Sequence, residues 1–350
     1  MNRKKVGILF GGMSCEHEVS LLSATSVLEN IDREKYSPIP IGITKEGKWY
    51  LFEGDISLIK SGEWEKCDNA EVLITPSRGT PLYAVKDGKL SEFNLDAIFP
   101  VLHGSYCEDG RLQGLLESAG IPFVGPGSLS SAICMDKAMT KLVLKNYGIP
   151  QAKALLVTKR EFISGFDKIE SSAMLLSYPL FVKPSAAGSS VGVSKAENSS
   201  ELKIAIEEAL TVGDRVLVEE YIEGAEIEVA ILGNDDLTVS VCGEIAPGSD
   251  FYDYDTKYKN DTAKYYIPAR LDDSVSEKIR DYASRIFRAL DCKGLSRVDF
   301  FVNGERIIFN EINTLPGFTS ISMYPKLMMA SGMSYSDLIT NLIELSLENK

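Results

Sequence analysis

The residues with the most chemistry to offer lie close together late in the chain. Ser296-Arg297-Val298-Asp299-Phe300-Phe301-Val302 is an apolar, β-prone run with a cation and a carboxylate inside it. Arg306-Ile307-Ile308-Phe309-Asn310-Glu311-Ile312-Asn313-Thr314 is a second such run, closed by Glu311 and Asn313. The Asn303-Gly304-Glu305 segment between them marks a hairpin. Side chains alternate along a strand, so Glu311 and Asn313 share a face. A two-residue Asn303-Gly304 turn pairs Asp299 with Ile308 and sends it to the opposite face. A three-residue loop, or one bulge, pairs Asp299 with Phe309 and aligns Arg297, Asp299, Glu311 and Asn313. Carboxylates buried without partners are too costly to keep, whereas carboxylates around a cation are not. An all-oxygen set of this kind suits Mg²⁺ or Mn²⁺. The alternative is a pair of acids at solvent-facing strand ends, with Arg297 as their partner.

Other stretches could meet a ligand. Lys5-Val6-Gly7-Ile8-Leu9-Phe10 is a buried-type strand that turns through Gly11-Gly12-Met13-Ser14 into a helix, with Glu16 and Glu18 in its first turn. Acids there would repel a phosphate, so Glu16 either caps the helix or receives an ammonium group. His103 ends another apolar strand, where it can be structural or face a ligand. Lys183-Pro184-Ser185-Ala186-Ala187-Gly188-Ser189-Ser190 lacks the Walker spacing. It reads as a loop whose backbone N–H groups grip phosphate, or as a flexible hairpin. The polar, aromatic segment 247–264 is long enough for a lid.

The totals narrow the partners. A chain of 350 residues, 44% hydrophobic and 25% charged, describes an ordinary globular protein of two or three domains. A net charge of −13 argues against nucleic acid or an anionic membrane as the main partner. No apolar run reaches membrane-spanning length, and the first residues lack a signal-peptide core, so the expected location is cytoplasmic. Six scattered cysteines read as reduced thiols, and two histidines make a zinc site improbable.

The elements that position these residues alternate as α/β units up to Pro126, an open parallel sheet. They then continue as α+β with strands near Ala154–Val157 and Pro179–Val182 and at Arg215–Ile222, Glu226–Leu232 and Leu237–Glu244. One helix is expected over Ser130–Tyr147, and further helices are capped by Asn198, Ser274 and Ser334. The expected units are 1–126, 127–213 and 214–350, with lid 247–264.

Taken together, these stretches resemble the ATP-grasp superfamily. More narrowly, the chain resembles the D-alanine–D-alanine ligase family from end to end. The resemblance rests on Gly11-Gly12-Met13-Ser14-Cys15-Glu16-His17-Glu18-Val19-Ser20, Leu102-His103-Gly104, Glu108-Asp109-Gly110, Met135-Asp136-Lys137, Gly188-Ser189-Ser190-Val191-Gly192, Tyr252-Asp253-Tyr254-x-x-Lys257-Tyr258 and Glu311-Ile312-Asn313-Thr314-x-Pro316-Gly317. It implies a two-lobed ATP-grasp fold behind the N-terminal domain, and ATP and D-alanine as substrates. It implies that Lys137, Lys183 and Lys257 hold phosphates and that Glu219, Tyr221, Ile222 and Glu226 hold adenine and ribose. Asp299, Glu311 and Asn313 would bind two Mg²⁺ (or Mn²⁺) ions. Glu16 would take the first substrate's ammonium beside His103, linked to the lid by Ser189 and Tyr258. Arg297 and the Gly317 N–H would stabilise the tetrahedral intermediate, and Ser322 and Met323 would meet the second carboxylate. A homodimer is implied as well. Tyr258 stands where relatives making D-alanyl-D-lactate have histidine, which favours an amine as second substrate, D-alanine before D-serine. Cys107, Ala186-Ala187 and Ile321 depart from the family's usual residues. A nucleotide-binding regulator that had lost catalysis is the competing class.

Overall fold

A computed structural model describes residues 3–79, 82–188, 191–246 and 264–348. Residues 247–263 of the predicted lid, with Lys257 and Tyr258, and also Ser189, lie outside the described residues.

Three sheets organise the chain. The first has seven strands, in the order Lys89–Phe93, Leu82–Lys86, Ala70–Leu73, Trp49–Leu51, Tyr36–Ile43, Lys4–Gly11, Ala97–Pro100. Only Tyr36–Ile43, Lys4–Gly11 and Ala97–Pro100 pair in parallel. The four strands from Trp49 to Phe93 add antiparallel. The open parallel sheet is therefore three strands wide, and loop length sets where the parallel run stops after Tyr36–Ile43. A parallel crossover needs a dozen or more residues, and the link from Ile43 to Trp49 is too short for one.

The second sheet is antiparallel, ordered Ser194–Ala196, Leu180–Pro184, Arg215–Glu220, Ala154–Thr158. Leu202, Ala205, Ile206 and Ala209 of helix Ser199–Val212 cover it and complete its own core. Asn198 caps this helix by accepting from Glu201 N–H at 3.1 Å. The third sheet is built around Ala225–Gly233, Gly294–Asn303 and Arg306–Asn313, with helix Asp273–Ala289 packed against it. One apolar core runs from Val6, Ile8 and Phe10 of the first sheet to Leu232 and Leu295 of the third. It passes through Tyr324, Leu327, Leu338 and Leu342 of the last two helices. The first and third sheets thus share buried surface, while the second has a separate core.

Several expected boundaries move. The single helix over Ser130–Tyr147 is two helices, Ser128–Met135 and Lys137–Lys145. Asp136 is extended between them (φ −92°, ψ 98°), and its carboxylate accepts from Ala138 and Met139 N–H. A side chain that satisfies orphan N–H groups starts a new helix more readily than it continues an old one. The helix expected to open at Ser274 is entered from Asp272. Glu16 is itself the N-cap residue of helix His17–Asn30, without a side-chain cap bond, so only Glu18 lies in the first turn.

The hairpin also differs from expectation. Asn303 pairs with Arg306, so the two-residue loop is Gly304-Glu305. Gly304 takes φ +57° at the first loop position, as a type II′ turn requires. Phe300 pairs with Phe309, the register then shifts, and Asp299 pairs with Glu311 instead of Phe309. Asn310 is the extra, bulged residue. In a regular ladder Asp299 would oppose Asn310 and Val298 would oppose Glu311, turning the acid into the core. The bulge keeps Val298, Phe300, Phe309 and Ile312 buried while placing Asp299 and Glu311 side by side.

Candidate active site

The hairpin, the second sheet and helix Lys137–Lys145 enclose one cavity. Among the predicted residues, Lys137, Lys183, Glu219, Tyr221, Ile222, Glu226, Asp299, Glu311 and Asn313 all line it. Each element delivers its residue for a local reason. Lys137 follows the Asp136 cap, and its N–H is held by Ser185 O at 2.8 Å. Its ammonium donates to Ala187 O at 2.8 Å and lies 3.5 Å from Glu311 Oε2. The Ala187 contact uses main chain, so small residues at Ala186-Ala187 leave it intact. Asp136 also accepts from Ser185 Oγ at 2.6 Å and pairs with Arg215, tying the helix start to two strands of the second sheet.

On the metal-type face, Arg297 forks onto Asp299, Nε to Oδ1 at 2.8 Å and Nη2 to Oδ2 at 2.7 Å. Asn313 Nδ2 donates to Asp299 Oδ2 at 3.0 Å, and Glu228 Oε2 lies 3.1 Å from Arg297 Nε. Burial opposes the charge on Arg297. Asp299 and Glu228 outweigh that and hold the guanidinium protonated far above its ordinary range. Among the described residues, no three His, Cys, Asp or Glu side chains converge as a metal cage. The candidate set is two carboxylates and an amide.

On the nucleotide-type side, Glu219 is buried, with Lys183 against Oε2 and Lys141 2.6 Å from Oε1. The Lys141 contact is a close, buried ion pair to Oε1. Burial pushes the Glu219 carboxyl up, but Lys183 and Lys141 more than offset this and keep it ionised below its ordinary range. Phe181 stacks on Tyr221 with centroids 5.8 Å apart, giving the same end a flat aromatic wall.

Glu16, His103, Arg297, Gly317, Ser322 and Met323 lie outside this lining, Arg297 just behind Asp299 and Glu228, which are part of it. Glu16 is buried beside the loops that carry Gly104 and Gly188. A Cβ on Gly104 would stand 2.8 Å from its Oε2, and one on Gly188 3.9 Å. Glu108, in the cavity wall, accepts from Gly104 N–H at 2.7 Å, and burial with the nearby Glu16 charge pushes its carboxyl well up. Cys107 sits with Sγ over Gly12, where a Gly12 Cβ would come within 3.1 Å, so the residue in the unusual position fills space that a glycine leaves. Ser322 Oγ accepts from Thr319 N–H at 3.1 Å. The Met323 side chain packs into the shared core against Gly243, leaving its backbone, at the start of helix Met323–Ala330, as the part able to meet a carboxylate.

His103 is fully enclosed. Nδ1 bonds Leu315 O at 3.0 Å and Nε2 bonds Ser23 Oγ at 3.2 Å, so the ring clamps the loop after the hairpin onto the first helix. Burial lowers its pKa, against the opposing pull of Glu16 and the Leu315 carbonyl. The folded chain therefore prefers the neutral ring, while the unfolded chain protonates below the ordinary 6.5. Stability from this residue is full above that value and falls as pH drops through it. In urea unfolding, the advantage of wild type over His103→Gln should shrink between about pH 7.5 and pH 5.5. A pH-independent difference would contradict the clamp.

Lys141, Glu228 and Asn310 escaped the sequence reading. Lys141 lies one helical turn beyond Lys137, a spacing that puts both on one face. Glu228 pairs directly with Asp299 across strands and sits two residues after Glu226. Asn310 becomes visible only through the bulge.

An antiparallel lobe and a metal-type hairpin closing over a lysine- and acid-lined cavity define an ATP-grasp enzyme. Known proteins narrow the class. Family models described as D-ala D-ala ligase N-terminus and C-terminus match residues 5–126 and 143–344. The chain is 50% identical to D-alanine–D-alanine ligase B of Clostridium tetani, covering 100% of this chain and 95% of that one. It is also 50% identical to the D-alanine–D-alanine ligase of Caldicellulosiruptor bescii, covering 99% and 96%. Among solved structures, a D-Ala:D-Ser ligase from Enterococcus faecalis superposes with TM-score 0.91 at 41% identity, covering 99% of this chain and 100% of that one. The D-alanine–D-alanine ligase of Coxiella burnetii gives 0.88 at 34%, covering 100% and 95%. The chain belongs to the D-alanine–D-alanine ligase family.

Proposed function

We propose that the chain joins two D-alanines into D-alanyl-D-alanine at the expense of ATP, supplying a peptidoglycan precursor. The observation that carries this is the single cavity in which Lys137 and Lys183 face Asp299, Glu311 and Asn313. A carboxylate is a poor acylating agent until its oxygen attacks the γ-phosphorus and displaces ADP, giving an acyl phosphate from which inorganic phosphate leaves when the second amine attacks. That step needs alignment and charge neutralisation more than a protein nucleophile. The cavity wall carries seven carboxylates against two lysines, Lys137 and Lys183. A polyphosphate fits such a wall only with added cations, and two carboxylates with an amide oxygen suit Mg²⁺ or Mn²⁺. Two ions held by Asp299, Glu311 and Asn313 would neutralise the phosphates and the charge that develops on transfer.

The chain's own groups then divide the work. Lys137, Lys183 and Lys257 hold phosphates, with the purine and ribose at Glu219, Tyr221, Ile222 and Glu226. Glu16 receives the first ammonium, joined through Ser189 to Tyr258 and positioned by the His103 clamp. The second amine attacks the acyl carbonyl, and Arg297 with the Gly317 N–H stabilises the oxyanion. Ser322 and the Met323 N–H take the second carboxylate. The units 1–126, 127–213 and 214–350 act together, with 247–264 closing over the acyl phosphate against water. We assign the protein to the cytoplasm as a homodimer. No helix among the described residues is long and apolar enough to cross a membrane.

The similarity to a D-Ala:D-Ser ligase keeps D-serine as the second reading for the acceptor. Phosphate release from ATP and Mg²⁺, with D-alanine, L-alanine, D-serine or D-lactate offered alone and in pairs, separates these readings. D-alanine alone should support turnover. Turnover that requires D-serine would favour the second reading, and no D-alanine dependence would overturn both.

A further inference from the structure

Lys141 has no place in the chemistry so far, yet it is among the most committed side chains near the cavity. It projects from helix Lys137–Lys145 one turn past Lys137, is largely buried, and reaches Glu219 Oε1 at 2.6 Å. Its remaining contact is Ala152 O at 3.2 Å, and Gln151 Nε2 donates to its carbonyl at 3.2 Å. Lys141 does not itself line the cavity; it is held against Glu219 and Ala152, which do. Lys183 is placed differently. It lies on the neighbouring strand, opposite Leu217 and diagonal to Glu219. Its ammonium lines the cavity, paired with Glu219 Oε2 and 3.5 Å from Asn310 Oδ1. One buried carboxylate is therefore held by two lysines, of which Lys183 lines the cavity and Lys141 does not.

A second lysine is unnecessary to neutralise one carboxylate, and burying it costs desolvation, which pulls its pKa down despite Glu219. It becomes useful once Lys183 moves. If Lys183 turned to a phosphate and Glu219 had no other cation, a buried carboxylate would be stranded, at a cost that would hold Lys183 back. The geometry points to Lys141 as a positioning residue: a standing counter-ion for Glu219 that releases Lys183 to the nucleotide's phosphates. This rests on the nucleotide reading above, in which Lys183 meets phosphate and Glu219 meets the purine end.

The test measures binding of two probes to the full chain with Mg²⁺ present: a β,γ-methylene analogue of ATP, and adenosine, which lacks phosphates. Lys141→Met should weaken the analogue by about tenfold or more, because Glu219 now retains Lys183, while adenosine changes less than about threefold. Lys141→Arg should restore both to within about threefold of wild type. In Lys141→Met combined with Glu219→Gln no carboxylate holds Lys183, so the ratio of analogue to adenosine affinity should return close to wild type. That double variant strands no buried carboxylate and leaves Lys183 facing the cavity beside Asn310, so it decides the matter if Lys141→Met alone does not fold. Equal weakening of both probes, an unchanged analogue affinity, or a double variant whose ratio stays depressed overturns the proposal. Lys183→Met tests the reading beneath it. If that variant binds the analogue like wild type, the phosphate role of Lys183 fails independently of Lys141.

Discussion

Glu311→Gln is expected to cut D-alanine-dependent turnover to below about a thousandth of the wild-type rate while the protein folds as before. The substitution keeps shape and removes one charge from the Asp299–Glu311 pair, so the loss should be electrostatic. Glu311 is partly exposed, and its ion partner Lys137 is also held by Ala187 O, so stability should stay within about 1 kcal/mol. A rise in thermal midpoint on adding Mg²⁺, expected for wild type, should vanish in the variant. Near-normal turnover would remove Glu311 from the metal face, and a retained Mg²⁺ response would place the ion elsewhere.

Arg297→Met carries the largest expected loss of both stability and activity. The largely buried guanidinium is clasped by the buried Asp299 and Glu228, and removing it takes the cation from two buried carboxylates. Breaking a buried pair from one side typically costs about 3–5 kcal/mol. Loss of an oxyanion donor costs on the order of 10²–10³ in rate. The two effects separate by Mg²⁺. A cation brought to Asp299 partly replaces the missing charge, so Mg²⁺ should raise the variant's unfolding midpoint more than wild type's, without restoring turnover. A variant as stable as wild type would show that the three groups are not mutually dependent.

Much of this site was legible because chemistry leaves residue types where a core would reject them. Asp299 inside an apolar strand, Glu311-x-Asn313 at the end of another, and Gly11-Gly12 between a buried strand and a helix each pointed to their place. Strand alternation specifies parity, so the shared face of Arg297, Asp299, Glu311 and Asn313 was available. Register was not. A loop shifted by one residue and a bulge at Asn310 together move the partner of Asp299 from Phe309 to Glu311, and neither has a local signature as strong as an Asn-Gly pair. Asp136 was misread for a related reason. Periodicity runs on across Ser130–Tyr147, and the break comes from the Asp136 carboxylate, which caps Ala138 and Met139 N–H and is itself held by Ser185 and Arg215. Lys141 and Glu228 were missed because their partners, Glu219 and Arg297, are distant in sequence. The antiparallel half of the first sheet was hidden as well, because its strands look alike one by one and nothing local tells which way each returns.

The most direct test of the central claim follows the carboxylate oxygen. If D-alanine is activated by attack on the γ-phosphorus, D-alanine labelled with ¹⁸O in its carboxylate must hand one of those oxygens to phosphate when the second amine displaces it. With ATP, Mg²⁺ and labelled D-alanine, mass spectrometry of the products should show one ¹⁸O in the inorganic phosphate for each D-alanyl-D-alanine formed. Dipeptide accompanied by unlabelled phosphate would contradict an acyl phosphate route, and with it the roles assigned to the lysines and the acidic hairpin.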